Sequence, residues 1–164
     1  MVTRRARSTT PPPSALLRLD NQLCFALYST SLTMTKLYKP VLERLKLTYP
    51  QYLVMLALWE SAPLSVSELG ARLFLDSGTL TPLLKRMQSA GWLRRERDAA
   101  DERRVSVSLS DAGRALRKHA GGVQREVACA TQCSLDELIA LTQRLQTLRG
   151  NIGATLISHL DEAA

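Results

Sequence analysis

One stretch of this sequence breaks an otherwise helical rhythm. In "VSVSLS" the apolar residues Val105, Val107 and Leu109 alternate with Ser106, Ser108 and Ser110. Period two marks a half-buried strand. "WLRRER" is the partner strand this predicts, with the charged "DAADER" as the hairpin tip. Two short helical patterns precede the hairpin. "PLSVSELGARLFL" has Ser65 and Glu68 at capping-box spacing, and "DSGTLTPLLKRMQSAG" has a cap near Asp76 and a left-handed-tolerant stop at Gly91. Helix, turn, helix and basic two-stranded hairpin make a winged helix-turn-helix, with helices predicted from Val66 to Phe74 and from Ser77 to Ala90.

The rest reads as helix. After the basic, proline-rich head, a helix can begin at Ser14 or at Asp20, both good N-caps, and should end before Lys39-Pro40. A short helix through "VLERLK" follows. Thr48 and Gln51 form another capping box, with Pro50 in the first turn. Beyond the hairpin, Ser110 or Asp111 caps a helix running to about Thr131. Ser134 and Glu137 open a last one through Leu160. In it Leu138, Leu141, Leu145, Leu148 and Ile152 are three and four apart, a narrow seam of the coiled-coil kind. In so small a chain that seam has no other obvious place to be buried than against a second subunit. The expected organisation is a mainly α chain with a small β-hairpin wing. Residues 1–13 form a tail and 14–164 one domain, with the winged helix-turn-helix at about 50–110 and dimerisation helices at about 14–49 and 111–160. At 164 residues it can bury a real core without disulfide or metal staples.

Composition narrows the function classes. A net charge of +7 favours an acidic polymer partner. On the second helix of the pair, Leu80, Leu83, Leu84 and Met87 form the buried stripe, leaving Ser77, Thr79, Thr81, Lys85 and Arg86 outward. Small hydroxyl residues there suit base edges and phosphates, and the two cations suit phosphates. Pro82 would strike the carbonyl of Gly78, where a bent first turn is tolerable. The wing carries Arg94, Arg95, Arg97, Arg103 and Arg104. An arginine at the tip fits a narrow minor groove, and Asp101 could hold its guanidinium. Three scattered cysteines do not make a secreted disulfide framework. The N-terminus has arginines without an apolar run behind them, and "YLVMLALW" is far short of the ~20 residues of a membrane helix. A soluble, cytoplasmic protein without membrane contact is expected.

"LDNQLCFALYSTS", "YKPVLERLKLTYPQYLVMLALWE", "LFLDSGTLTPLLKRM" and "DERRVSVSLSDAG" resemble the MarR-type transcription regulators, specifically the organic hydroperoxide resistance regulator (OhrR) branch. The likeness is close from about Leu19 to Gly113 and looser beyond. Asp101 and Arg103 match the wing signature of MarR-type proteins in general, and the cysteine within "NQLCFALY" marks the peroxide-sensing branch. The resemblance implies a homodimer whose N- and C-terminal helices interlock on pseudo-palindromic double-stranded operator DNA. It also implies a repressor that lets go when Cys24 is oxidised by an organic hydroperoxide.

All four tyrosines, Tyr28, Tyr38, Tyr49 and Tyr52, follow Cys24 within one window. Their hydroxyls can donate to a thiolate and so lower a thiol's pKa. The resemblance points to Tyr38 and Tyr49 as donors from the other subunit, with Tyr28 close by. A helix start at Asp20 would set Cys24 near the positive end of the dipole, whereas a start at Ser14 would bury it too deep in the helix. Apolar neighbours (Leu23, Phe25, Leu27, Met34) suit an alkyl or lipid hydroperoxide. Cys129 and Cys133 sit one turn apart near the end of the fifth helix, and no histidine cluster joins them, so no metal is expected. In the two-cysteine version of the family a C-terminal cysteine resolves the sulfenic acid into an inter-subunit disulfide. Cys129 is the better match by position, with Cys133 the fallback. Two other readings compete: a MarR-type repressor released by a bound aromatic ligand, and a thiol peroxidase. The peroxidase fares worst, because nothing resembles a CxxC redox motif or a nucleotide site. No enzyme activity and no cofactor are expected.

Overall fold

A 3-10 turn, Leu19–Asn21, leads into helix α1, Leu23–Glu43, in a computed structural model that describes residues 17–97 and 104–162. Asp20 does not cap α1, and Ser14 lies outside the described residues. The amides of Asn21 and Gln22 bond back to the carbonyls of Arg18 and Leu19, both at 3.0 Å. That tight turn consumes the segment where an Asp20 cap would act, and Gln22 becomes the N-cap.

Helix α1 also overrides the expected stop before Lys39-Pro40 and runs through Pro40 to Glu43. A proline inside a helix costs about 3 kcal/mol. Burial of Tyr38 and Leu42 on either side, and of Leu45 and Leu47 just beyond, offsets it. The stretch "VLERLK" is therefore the end of α1 rather than a separate helix. Lys46 (φ 55°) closes it in left-handed conformation, with Lys46 N–H donating to Glu43 O at 3.0 Å and Leu47 N–H to Leu42 O at 3.1 Å.

Helix α2, Tyr49–Ser61, opens on the predicted capping box, Thr48 N–H donating to Gln51 Oε1 at 2.8 Å. Tyr52, Val54, Met55, Ala57, Leu58 and Trp59 are all buried, so α2 is the central helix. Strand β1, Leu64–Ser65, follows, then helix α3, Val66–Leu73, and helix α4, Ser77–Ser89. The Ser65–Glu68 box and the Asp76 cap both form. Leu80, Leu83, Leu84 and Met87 are buried as the spacing requires. The turn after α4 uses Gly91 at φ +80°, open only to a residue without a Cβ penalty.

Strands β2, Leu93–Arg97, and β3, Val105–Leu109, pair antiparallel with Leu93 opposite Leu109. The two strands of the hairpin pair as expected, and β1 adds to the other edge of β3, Leu64 opposite Val107, to make a three-stranded sheet. Two residues carry no periodicity, so only the tertiary pairing reveals this third strand. Helix α5, Asp111–Ala130, is capped by Ser110, whose Oγ accepts from Gly113 N–H at 3.0 Å. Gly113 packs against the end of the wing so closely that a Cβ would lie 2.0 Å from Trp92 O. Its own carbonyl accepts the buried Trp59 Nε1–H at 2.9 Å.

Helix α6, Leu135–Glu162, opens on the Ser134–Glu137 box. It leaves Leu141, Leu145 and Ile152 exposed, while Leu138 and Leu148 are half-buried. On α1, Leu23, Leu27 and Leu32 are exposed as well. The protein is thus a winged helix-turn-helix core with a long apolar arm from α1 and α6. No helix among the described residues is long and apolar enough to cross a membrane.

Candidate nucleic-acid interface and thiol site

The amino end of α4 is built by one carboxylate. Asp76 Oδ1 accepts from Thr79 N–H and Oδ2 from the Thr79 hydroxyl, both at 2.8 Å. These bonds hold the Asp76 carboxyl below the usual carboxylate range. Gly78 leaves room for it, since a Cβ there would stand 3.0 Å from Asp76 Oδ1. Ser77, Thr79, Lys85 and Arg86 are exposed as predicted, and Thr81 is half-buried. An ion pair from Arg72 to Glu60 ties α3 to α2 beneath this head.

On the wing, Arg94, Arg97 and Arg104 are exposed and Arg95 is half-buried, its Nε without a hydrogen-bond partner among the described residues. Asp101 and Arg103, the expected tip residues, lie outside the described residues. Phe74, exposed and left-handed (φ 55°), stacks under Arg149 of α6, 4.2 Å from guanidinium carbon to ring centre. Sequence reasoning missed this contact, which joins the reading head to the arm. A large aromatic at the usual glycine place of a helix stop was its only signal.

Cys24 is the second residue of α1, exposed, and nearer the positive helix end than either predicted start allows. Tyr28, one turn on, is also exposed. Tyr38 is fourteen residues further along α1, about 21 Å of helical rise. There it packs with Tyr49 and Tyr52, ring centres 4.8 and 6.0 Å away. Burial, reinforced by those two neighbours, pushes Tyr38 up to about 12, and burial raises Tyr49 and Tyr52 too. All three therefore stay protonated donors at neutral pH. Tyr38 and Tyr49 line a groove of about 500 Å³ between α1 and α6, with Leu23, Leu27, Met34, Leu141 and Leu145. Within one chain the thiol and the two phenols are thus kept apart.

Cys129 is exposed near the end of α5 and lines a cleft with Val41, Arg44 and Leu45, at the far end of α1 from Cys24. Seventeen residues of α1 separate Cys24 from Val41, about 26 Å. Cys133 is not in the fifth helix. α5 stops at Ala130 and Gln132 turns left-handed (φ 56°), so Cys133 sits in the connection to α6. No group of three or more His, Cys, Asp or Glu among the described residues could hold a metal ion.

Comparison with known proteins is consistent with this architecture. The family described as transcriptional regulator SarA/Rot matches residues 36–119. The chain is 49% identical over 136 residues to the HTH-type transcriptional regulator TtmR of Methylorubrum extorquens, spanning 83% of this chain and 70% of that one. It is 46% identical over 132 residues to the organic hydroperoxide resistance transcriptional regulator of Bacillus subtilis, spanning 80% and 90%. Among solved structures, AbfR of Staphylococcus epidermidis is similar in several forms. Reduced AbfR bound to DNA superposes with TM-score 0.67 at 35% identity, covering 85% of this chain and 97% of that one. Overoxidized AbfR bound to DNA gives 0.68 at 34%, covering 85% and 98%. Disulfide-formed AbfR gives 0.58 at 36%, covering 82% and 95%. The matched proteins are regulators rather than enzymes, and the chain belongs to the MarR/SarA family of transcription regulators.

Proposed function

We propose that the protein is a homodimeric repressor that binds operator DNA through α4 and the wing and is released when an organic hydroperoxide oxidises Cys24. The observation that carries this reading is the separation of the thiol from its donors within one chain. An exposed Cys24 stands at one end of α1, while protonated Tyr38, some 21 Å further along the helix, and Tyr49 line an open apolar groove. A second subunit with its α1 running antiparallel brings each Cys24 to the other's tyrosines and fills the groove. Apolar faces on α1 and α6 supply the dimer surface in this reading, which keeps the expected dimerisation helices at about 14–49 and 111–160 and the reading head at about 50–110. The similarity to DNA-bound AbfR and to the Bacillus hydroperoxide regulator supports the DNA and inducer assignments.

The hydroperoxide oxidises the Cys24 thiolate to sulfenic acid, its O–O bond breaking to give the alcohol. Cys129 of the other chain then attacks the sulfenic sulfur, water leaves, and a disulfide forms. A disulfide needs Cα atoms within about 7 Å, so the ~26 Å of α1 between Cys24 and the Cys129 cleft excludes the intrachain bond. Cys133, at a bend outside α5, is the fallback resolving thiol. Overoxidized AbfR bound to DNA supports placing release at the disulfide rather than at overoxidation.

The test is operator release by cumene hydroperoxide in the Cys24→Ser variant. The proposal expects none. Full release would favour the second reading, a non-covalent aromatic ligand in the Tyr38–Tyr49 groove, whose apolar lining and volume would hold one.

A further inference from the structure

The hydrogen bonds at the start of α4 fix more than the helix end. Asp76 is ionised and accepts only, so the proton between Asp76 Oδ2 and Thr79 Oγ1 belongs to the threonine. Thr79 therefore commits its only hydroxyl proton to Asp76, and at this exposed position its oxygen has only lone pairs left to offer a ligand. In the major groove, adenine N6 and cytosine N4 carry amino donors, whereas guanine presents O6 and N7 and thymine O4 as acceptors.

We infer that Asp76 and Thr79 make an acceptor-only reading element, which selects adenine or cytosine over guanine or thymine at one position of each half-site, on the strand Thr79 faces. The inference rests on α4 being the DNA-reading helix and deepens that assignment. A keto base there would meet oxygen lone pairs on both sides. A phosphate would do the same, so Thr79 reads a base edge rather than anchoring the backbone. Gly78 is part of the device, because a Cβ would crowd the Asp76 carboxylate oxygen that holds Thr79 N–H.

The polarity is reversible by a single change. In Asp76→Asn the amide oxygen is claimed by Thr79 N–H, as any N-cap oxygen is, so the amide N–H faces Thr79 Oγ1 and donates to it. The hydroxyl proton is then free to point at DNA, and asparagine keeps the cap.

The experiment enriches a fully randomised duplex library on the reduced full-length protein. Affinities are then measured for every single-base-pair variant of the selected site. The parent should prefer adenine or cytosine at one position by about tenfold. Thr79→Val should flatten that position alone to within about threefold, Thr79→Ser should keep it, and Asp76→Asn should shift it toward guanine or thymine. A guanine or thymine preference at the Thr79-sensitive position would overturn the inference. So would an effect of Thr79→Val spread evenly over the site, or absent from it. Failure of the DNA reading itself looks different: the library would enrich nothing, and Lys85→Ala and Arg86→Ala would leave binding unchanged.

Discussion

Tyr38 shows how much work one side chain does here. Held at about 12, it is a neutral donor at any physiological pH. Its pKa is raised above the unfolded value of 10.0, so the stability linked to it is complete below pH 10 and is lost as pH rises from about 10 to 12. Urea titrations across that window should show a fall to which Tyr38 contributes roughly 1–3 kcal/mol, so that Tyr38→Phe reduces it and Tyr49 and Tyr52 account for the remainder. The same substitution, and Tyr49→Phe, should slow alkylation of Cys24 by iodoacetamide roughly tenfold while sparing operator affinity. Alkylation at the parental rate would leave the tyrosines as packing groups. At this scale the sequence was informative where chemistry is local. The α4 hydroxyls and the tyrosine window could be marked from residue type and spacing, whereas Cys24 stood out through the family resemblance of its motif. The direction of the Thr79 proton could not, because it depends on a carboxylate oxygen lying 2.8 Å away in the folded chain.

Elements were legible in proportion to how local their causes are. All the capping boxes, at Thr48, Ser65 and Ser134, form as read, since cap and partner are three residues apart. Pro40 and β1 went against local rules or below them. The first is overridden by burial of Tyr38 and Leu42, and the second exists only because Val107 offers Leu64 a partner. Cys133 left its expected helix when Gln132 turned left-handed, a stop without a glycine to announce it. Two predictions belong here. Gly113→Ala puts a methyl group 2.0 Å from Trp92 O and should cost about 1–3 kcal/mol or more in denaturant melts, loosening the wing from α5. Leu145→Asp, on the exposed seam of α6, should give monomer or aggregate in sedimentation, and a well-folded dimer would move the interface elsewhere.

At the scale of the whole molecule, the arm that would carry the sensor also touches the reading head through Arg149 and Phe74. A cross-link that moves the arms would change the spacing of two heads matched to two half-sites. A thousandfold loss of affinity needs only about 4 kcal/mol between the two states. In the reduced state Arg103→Ala, at the position the sequence expects for the wing tip, should weaken operator binding by roughly 1–3 kcal/mol per half-site and make its salt dependence shallower, without affecting folding. Unchanged affinity at two salt concentrations would remove Arg103 from the interface. The most direct measurement follows the operator complex after addition of cumene hydroperoxide, by fluorescence anisotropy and non-reducing gels on the same samples. The account predicts that DNA leaves as a covalent dimer appears, and that dithiothreitol reverses both. Cys129→Ser should form no such dimer, unless Cys133 serves as the resolving thiol, in which case Cys133→Ser removes it instead. Complete release of DNA with Cys24 still reduced would contradict the account.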